Sequence, residues 1–416
     1  MLFFLYLPEV VAFLQFFLVS TQEMPFGALL VLAQFALFAL LAIAHPAAFV
    51  RTVMRWWPLL LVQILAVASA AWSPLPGETA RYAMQFLYTA MIGVMLAQVL
   101  SPRRFLIVLL VALFVFCVLC ILYGRQGASF YHMVLVGLTG SKNQLAYEAQ
   151  LLMIAAIAVL MLRDISVPLR WVALISLPLS AYLLVETESS TAMVMAGLGG
   201  VALVGLAICH RLTPGGRVAA LAGAIVILLP LVALLPEITG AINHFVFDTL
   251  NKDPTLSGRT ALWARADDLI ARRPLLGYGY QAIWMGDATE TIALRRLTGI
   301  FDSRVFHFHH QFRQIASDTG IVGLLAFIGL LATVGLASLR KFLLQPSIET
   351  TFFFLIFTLM FARGFVDLII GPFSIHTLTF YAACVYALRQ ASETARSEHA
   401  TAQPHWIQRA ALSRLR

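Results

Sequence analysis

The residues of this chain that could do chemistry are concentrated in one polar stretch, from about Glu237 to Thr319. The stretch contains several arginines and, near its end, the cluster His-Phe-His-His at positions 307–310. A histidine with a pKa near neutrality can take a proton from a hydroxyl group or fix its orientation. Because apolar helices flank the stretch on both sides, these groups are expected in water at a bilayer surface. If the protein catalyses a reaction, we expect it here.

The histidine cluster also has two other interpretations. Three histidines within four residues could hold a metal ion, although His307 and His309 share a face only in an extended chain and Asp302 is the one acidic residue close by in sequence. A lone interfacial histidine could instead be structural and bond to backbone. We predict no metal and no cofactor, with the metal site kept as an alternative.

The rest of the chain is strongly apolar. Of its 416 residues, 61% are hydrophobic and 12% are charged, and the mean hydropathy is +0.87. Repeated spans of about 20 apolar residues account for such a composition, whereas a soluble core does not require it. The net charge of +8 could suggest nucleic acid, but in a polytopic protein excess Lys and Arg marks cytoplasmic loops. We therefore expect an integral membrane protein and no nucleic-acid partner.

Apolar runs bounded by charge, proline or glycine predict the elements that position the polar stretch. We expect an all-α polytopic membrane protein with about 12 transmembrane helices and one long loop containing short helices. The predicted spans are residues 8–22, 25–44, 57–73, 82–100, 104–123, 144–162, 170–185, 191–209, 217–236, 318–339, 349–370 and 375–389.

The charges of the connecting loops predict the orientation in the membrane. Positive charge recurs in alternate loops, at Arg51 and Arg55, Arg103 and Arg104, Arg163 and Arg170, Arg211 and Arg217, and Arg340 and Lys341. By the positive-inside rule, both termini are cytoplasmic and the long loop is external. The expected organisation is nine helices in 1–236, the external loop with the active-site motifs in 237–317, three helices in 318–389 and a basic cytoplasmic tail in 390–416.

Two short helices are predicted inside the loop. Leu262, Ala266, Leu269 and Ile270 follow the spacing of one apolar helix face, and Pro274 ends that helix. A second helix is predicted for residues 288–297. The run Gly277-Tyr278-Gly279 is interpreted as a turn; a phosphate cradle is the alternative, which a preceding strand would favour.

An ordered set of motifs resembles a known family. Ser257-Gly258-Arg259-Thr260 with Trp263, followed by PLLGYG at 274–279, is similar to the external loop of the O-antigen ligase and Wzy-type polymerase superfamily. In that family the loop closes with His, then Asn, Ser or Gln, then nine residues and Gly-x-x-Gly. Here His309 has the right spacing to Gly320-x-x-Gly323, but His310 replaces the expected residue. The form His-x-His-His at 307–310 and GSKNQLA at 140–146 resemble exopolysaccharide polymerases.

The resemblance implies a GT-C-like fold and an inverting glycosyl transfer without a metal. The donor would be a glycan on undecaprenyl pyrophosphate, and the leaving group an anionic lipid pyrophosphate that a guanidinium can bind. His309 and Arg259 are then the catalytic candidates. The candidates for binding the donor pyrophosphate are Arg259, Lys142, Arg265 and Arg313.

Further residues are candidates for acceptor binding or for support of the site, namely His307, His310, Asn143, Glu186 and Arg363. Ligases usually carry an arginine near the outer end of the eighth span, where this chain has Glu186-Thr187-Glu188. Arg363 and Asp367 are four residues apart in the predicted span 349–370, which would place them on one helix face as a structural pair or as part of the site.

These observations favour a polysaccharide polymerase of the bacterial inner membrane with its active site facing the periplasm. An O-antigen ligase that transfers glycan to lipid A–core is the nearest alternative, and a transporter or flippase is the alternative from another class. The expected partners are the lipid-linked donor, an acceptor glycan on lipid carrier or lipid A–core, the lipid bilayer, a chain-length regulator and a flippase.

Overall fold

A computed structural model of the chain describes residues 2–21, 26–128, 133–233, 259–299 and 305–389. The motif Ser257-Gly258, the beginning of the predicted loop, Asp302 and the basic tail 390–416 lie outside these ranges.

The described residues are almost entirely helical. The helices are α1 Leu2–Ser20, α2 Gly27–Ala44, α3 Pro46–Met54, α4 Leu61–Ala68, α5 Pro76–Val99, α6 Pro102–Tyr123, α7 Lys142–Met161, α8 Val167–Glu186, α9 Ser190–Ile208, α10 Pro214–Ala233, α11 Arg259–Arg272, α12 Thr289–Thr298, α13 Gln311–Leu344, α14 Ile348–Arg363 and α15 Ile375–Leu388. Short 3-10 turns lie at Trp57–Leu60, Ser69–Ala71, Cys209–Arg211 and Ala282–Trp284.

The apolar helices establish a multi-pass membrane protein. Within the described ranges, seven helices are long and apolar enough to cross a bilayer, or eight if Pro46–Met54 and Trp57–Ala71, bent by 61°, form one span. Shorter apolar helices are Tyr6–Ser20, Pro214–Val226 and Ile375–Leu388. A helix occurs at each predicted span, so the all-α membrane class is confirmed, and the total of about 12 spans stays a prediction.

Two predicted elements differ in detail. The span predicted at 57–73 is a run of short helical pieces that is bent relative to the unpredicted helix α3 before it. Helix α3 begins at Pro46, where proline is tolerated in the first turn. The span predicted at 349–370 ends at Arg363. Arg363 and Asp367 therefore do not share a helix face, because Asp367 lies in the irregular segment that follows α14.

A small hairpin was also not predicted. Strands β1 Arg125–Ala128 and β2 Met133–Gly137 pair antiparallel, with Arg125 opposite Gly137. Gly137 has a φ of +67° and lies so close to Cys120 that an added Cβ would be 2.8 Å from its sulfur. A side chain is therefore excluded where the hairpin ends on α6.

The chain divides into two compact units. The first contains residues 1–57, 91–197 and 381–416, and the second contains residues 58–90 and 198–380. The second unit contains α11 to α14 and the histidine cluster.

In the second unit, α11 and α12 enclose a small apolar cluster, as the periodicity predicts. Its fully or nearly buried members are Leu262, Ala266, Leu269, Ile283, Trp284, Leu294 and Phe308. Phe308 belongs to the histidine cluster, so burying its ring ties that segment to α11.

Helix α13 is broken at Gly320, where φ is +67° and ψ is −165°. This backbone region is essentially restricted to glycine. An added Cβ would collide with the carbonyl of Leu275. The break separates an inner segment, 311–319, from a longer outer segment, 321–344.

The PLLGYG segment, 274–279, crosses the break and supplies its missing hydrogen-bond partners. The amides of Ile321 and Val322 donate to the carbonyls of Pro274 (2.8 Å) and Leu275 (3.4 Å). In return, the amides of Tyr278 and Gly279 donate to the carbonyls of Ser317 (2.9 Å) and Asp318 (2.8 Å). Buried backbone groups rarely remain unpaired, so this exchange stabilises the break. We call these four bonds the crossing contact.

Candidate active site

The structure brings His309 and Asp367 together from distant parts of the sequence. His309 Nδ1 lies 3.3 Å from Asp367 Oδ1. The side chains are 17% and 6% exposed, so the pair is well shielded from water. A histidine that donates through Nδ1 to a carboxylate keeps its lone pair on Nε2, which is the arrangement of a general base.

The backbone of His309 is held in an unusual conformation. Its φ is +49°, a left-handed value that costs a non-glycine residue free energy. The neighbouring Phe308 is bound on both sides, because its carbonyl accepts from Trp263 Nε1 (2.9 Å) and its amide donates to Gln314 Oε1 (3.1 Å). Strain that is maintained by such contacts is typical of functional sites.

Asp367 is ionised. Its burial opposes the charge, but the hydrogen bond from His309 and the nearby charge of Arg363 hold the pKa of the carboxyl well below its usual range. Oδ1 also accepts from the amide of Leu368 at 2.8 Å. The charge of Arg363, predicted as a supporting residue, is thus one cause of the lowered pKa of Asp367, and its role at the site stays a prediction.

His307 packs beside this pair, with its ring centroid 4.2 Å from that of His309. Its Nδ1 accepts the His309 amide at 3.2 Å, so its proton is on Nε2. Burial, with the charge of neighbouring groups, lowers the pKa of His307 to about 3. His307 is therefore neutral at pH 7.

The metal alternative has a geometric basis. One ligand atom each of His307, His309 and Asp367 lie within 4.8 Å of one another. In the structure, however, His307 Nδ1 accepts the amide of His309, and Asp367 Oδ1 accepts from His309 Nδ1 and from the amide of Leu368. The geometry of the cluster therefore fits a hydrogen-bonded acid–base pair as well as it fits a three-ligand metal site.

Arg259, the first residue of α11, reaches the same place. Its Nη1 donates to the carbonyl of Val366 at 2.8 Å, next to Asp367. Its charge contributes to the lowered pKa of His307. The structure thus brings Arg259, His307, His309, Arg363 and Asp367 to one site.

The other two arginines predicted to bind the donor pyrophosphate have acidic partners. Arg313 binds both oxygens of Asp267 at 2.7 and 3.1 Å and lies over the ring of Trp263. Arg265 binds Asp268 at 2.7 Å. Arg313 therefore connects α13 to α11, and the predicted pyrophosphate role of both arginines stays a prediction.

His310 is the N-cap of α13. Its Nδ1 accepts from the amide of Arg313 at 3.4 Å. Burial and the charge of Arg313 lower its pKa to about 4, so the ring is neutral and can accept. The position needs a side-chain acceptor, which Asn or Ser also supplies. This explains why His310 can replace the residue expected from the resemblance.

Sequence reasoning missed the glutamines of the inner segment. Gln311 Oε1 accepts the amides of Ile369 (2.7 Å) and Ile370 (3.0 Å), and Gln314 Nε2 donates to Asp318 Oδ2 (3.0 Å). Their spacing in the sequence could have indicated a role at the site. They follow the histidine cluster in the first turn of a helix, three residues apart, which places both on one helix face.

Lys142, Asn143 and Glu186 belong to the first unit. Lys142 and Asn143 are partly buried at the start of α7, with Ser141 as the N-cap, and Glu186 is the last residue of α8. Their predicted roles at the site stay predictions.

Comparisons with known proteins point to one family. Residues 175–328 match the family model described as O-Antigen ligase. The match includes α11, α12 and the histidine cluster, and ends before Asp367. This multi-pass membrane protein is therefore similar to proteins of the O-antigen ligase type.

A particular relative extends the comparison over most of the chain. The chain is 26% identical over 369 residues to the "Exopolysaccharide production protein ExoQ" of Rhizobium meliloti (strain 1021), covering 86% of this chain and 82% of the relative. The resemblance to the O-antigen ligase and polymerase superfamily is therefore confirmed.

Proposed function

We propose that this protein is an inner-membrane polymerase that joins oligosaccharide repeat units carried on undecaprenyl pyrophosphate. The observation that carries the proposal is the pairing of His309 with Asp367, beside Arg259. The similarity to an exopolysaccharide production protein favours a polymerase over a ligase.

In the proposed reaction, a hydroxyl of the acceptor glycan attacks the anomeric carbon of the donor. The bond from that carbon to the phosphate oxygen breaks, and undecaprenyl pyrophosphate leaves with the bonding electrons. Attack opposite the leaving group inverts the anomeric carbon. The hydroxyl proton passes to Nε2 of His309, while Asp367 orients the ring and stabilises the imidazolium that forms.

Arg259 is proposed to bind the donor pyrophosphate. Within the described ranges its guanidinium gives one hydrogen bond to protein, at Val366, and a guanidinium has five donors. The remaining donors match phosphate oxygens, and a fixed cation stabilises the charge that develops on the leaving group. Lys142 is proposed as a second cation, and Arg265 and Arg313 as more distant ones.

Ligation to lipid A–core remains the second candidate function, because the matching family model is described as O-Antigen ligase. Both reactions use the same donor and differ in the acceptor. For both, we place the site at the periplasmic face of the bacterial inner membrane and both termini in the cytoplasm, from the positive charge of alternate loops.

The test uses a strain that lacks this protein, complemented with wild type, His309→Ala, Asp367→Asn or Arg259→Ala. Surface glycans are resolved on a gel. Loss of long glycan while single repeat units still reach lipid A–core supports a polymerase. Loss of single-unit attachment, with lipid-linked long chains accumulating, supports a ligase.

Assays of the purified variants measure how much the reaction rate falls. Removal of a general base costs about 10²- to 10⁴-fold in rate. The matched control for Asp367→Asn is Asp287→Asn, the same chemical change at a side chain that is 96% exposed. The control should keep wild-type activity. Full glycan synthesis by the His309→Ala strain would contradict the proposed site.

A further inference from the structure

Asp367 lies in a segment without regular structure, Gly364 to Ile370, between the end of α14 and the beginning of α15. Such a segment does not hold a side chain at a fixed distance from its partner unless other groups bind its backbone. The bonds that bind it identify what determines the distance between His309 and Asp367.

Gln311 provides three of these bonds. Its backbone amide donates to the carbonyl of Gly364 at 2.9 Å, before Asp367. Its side-chain Oε1 accepts the amides of Ile369 at 2.7 Å and Ile370 at 3.0 Å, after Asp367. One residue therefore binds the segment on both sides of the carboxylate.

Gln311 is also close in sequence to His309, the other member of the pair. It is two residues from His309 and is the first residue of α13, and it is 2% exposed. The inner segment of α13 is itself fixed by Gln314 and Asp318. Gln314 Oε1 accepts the amide of Phe308, and the Asp318 carboxylate accepts from Gln314 Nε2 and from the amide of Gln281. The helical turn that begins two residues after His309 thus also binds the segment around Asp367, through Gln311.

We propose that Gln311 is a positioning residue that sets the distance between His309 and Asp367, an inference that rests on the proposed function. It does not touch substrate in this proposal. It acts through Asp367, so its loss should slow proton removal without weakening donor binding. Catalytic groups that shift by about 1 Å can lose about 10²-fold in rate.

The experiment measures polymer formation by the purified full-length protein. The donor is lipid-linked repeat units extracted from a strain that lacks this protein. Gln311→Leu removes the acceptor, and Gln311→Asn withdraws it by one methylene while keeping a polar side chain in case the leucine variant does not fold. Gln311→Glu keeps two oxygens that can accept both amides. The matched control is Ser317→Ala. Ser317 is buried in the same helical segment, and its hydroxyl donates to the carbonyl of Gln314.

We expect Gln311→Leu and Gln311→Asn to lower kcat about 10- to 100-fold with KM for the donor unchanged. Gln311→Glu should retain most of the activity, and Ser317→Ala should resemble wild type. In an Asp367→Asn background, Gln311→Leu should have little further effect, because residues that act as one unit are not additive.

Two results would overturn the inference while leaving the proposed function intact. One is wild-type kcat in both the leucine and the asparagine variant. The other is a full additional loss from Gln311→Leu in the Asp367→Asn background, which would mean that Gln311 acts independently of Asp367. If His309→Ala and Asp367→Asn are themselves as active as wild type, the proposed site fails, and this inference with it. If the wild-type protein forms no polymer, the proposed function fails.

Discussion

His310 illustrates how a residue within a functional motif can have a local structural role. Its Nδ1 caps α13 at the amide of Arg313. We expect His310→Asn to keep both activity and stability, because asparagine accepts the same hydrogen bond. His310→Ala should lower the free energy of unfolding by about 1 kcal/mol. Thermal unfolding in detergent, with polymerisation assays of both variants, checks this; equal stability of the alanine and asparagine variants would contradict the capping role.

His307 makes stability depend on pH. Its pKa is about 3 in the folded protein and about 6.5 in an unfolded chain. Between these values the unfolded state binds more protons, so stability falls as pH decreases through this window and is constant above it. We expect a loss on the order of 1 kcal/mol from this histidine between pH 7 and pH 5.

The measurement is the apparent melting temperature at pH 5, 6 and 7 for wild type and His307→Asn. The variant should show a smaller dependence on pH, because it removes one titrating group. His310 contributes in the same direction, since its pKa is also lowered, to about 4. An unchanged slope in His307→Asn would contradict the assignment.

At the scale of elements, the broken helix α13 explains the spacing between His309 and the Gly-x-x-Gly motif. The nine residues after His310 form the inner segment, which ends at the break. Gly320 is required because of its backbone conformation and because a side chain would collide with Leu275. The PLLGYG and Gly-x-x-Gly motifs therefore have a joint structural function, the crossing contact.

Gly320→Ala should disrupt the crossing contact. The unfavourable φ costs about 1–3 kcal/mol, and displacement of the 274–279 segment adds to it. We expect a clear drop in melting temperature and strongly reduced activity. Gly329→Ala, in the same helix with nothing within 4 Å of an added Cβ, is the matched control and should be as stable as wild type or slightly more so. Equal melting temperatures of the two variants would contradict the proposed role.

The two glycines of the PLLGYG segment, Gly277 and Gly279, have a related explanation. Gly277 has a φ of +66°, and a Cβ there would meet the backbone of Ser317 and Asp318. A Cβ on Gly279 would lie 2.6 Å from that of Ser73. The turn itself lies at 274–276, just before the predicted Gly277–Gly279, and close packing accounts for both glycines.

At the scale of the whole molecule, the predicted orientation can be tested by cysteine labelling. Asp287, whose side chain is 96% exposed, lies in the predicted external loop, and Arg211 lies in a predicted cytoplasmic loop. In a Cys209→Ser background, a membrane-impermeant maleimide should label Asp287→Cys in intact spheroplasts. It should label Arg211→Cys only after the membrane is permeabilised. The reverse pattern would contradict the orientation and place the site in the cytoplasm.

The fold was largely predictable because hydropathy and helix periodicity are local properties of the sequence. Leu262, Ala266 and Leu269 are buried as their spacing predicts. The partner of His309 was not predictable in this way. Asp367 is 58 residues away in sequence, and the apolar run around it concealed the end of α14 at Arg363. Long-range hydrogen bonds such as those of Gln311 leave no periodic signal, so the site could be recognised only in part.

The break at Gly320 also divides α13 into two segments with different surroundings, one in the bilayer and one at the site. The outer segment of α13, 24 residues from Ile321 to Leu344, is about 36 Å long and must follow the thickness and tilt of the surrounding bilayer. The inner segment begins two residues after His309 and contains Gln311, which binds the segment around Asp367. Because the two segments are joined at a single glycine, we expect the outer segment to adapt to different lipids while the distances within the site stay constant.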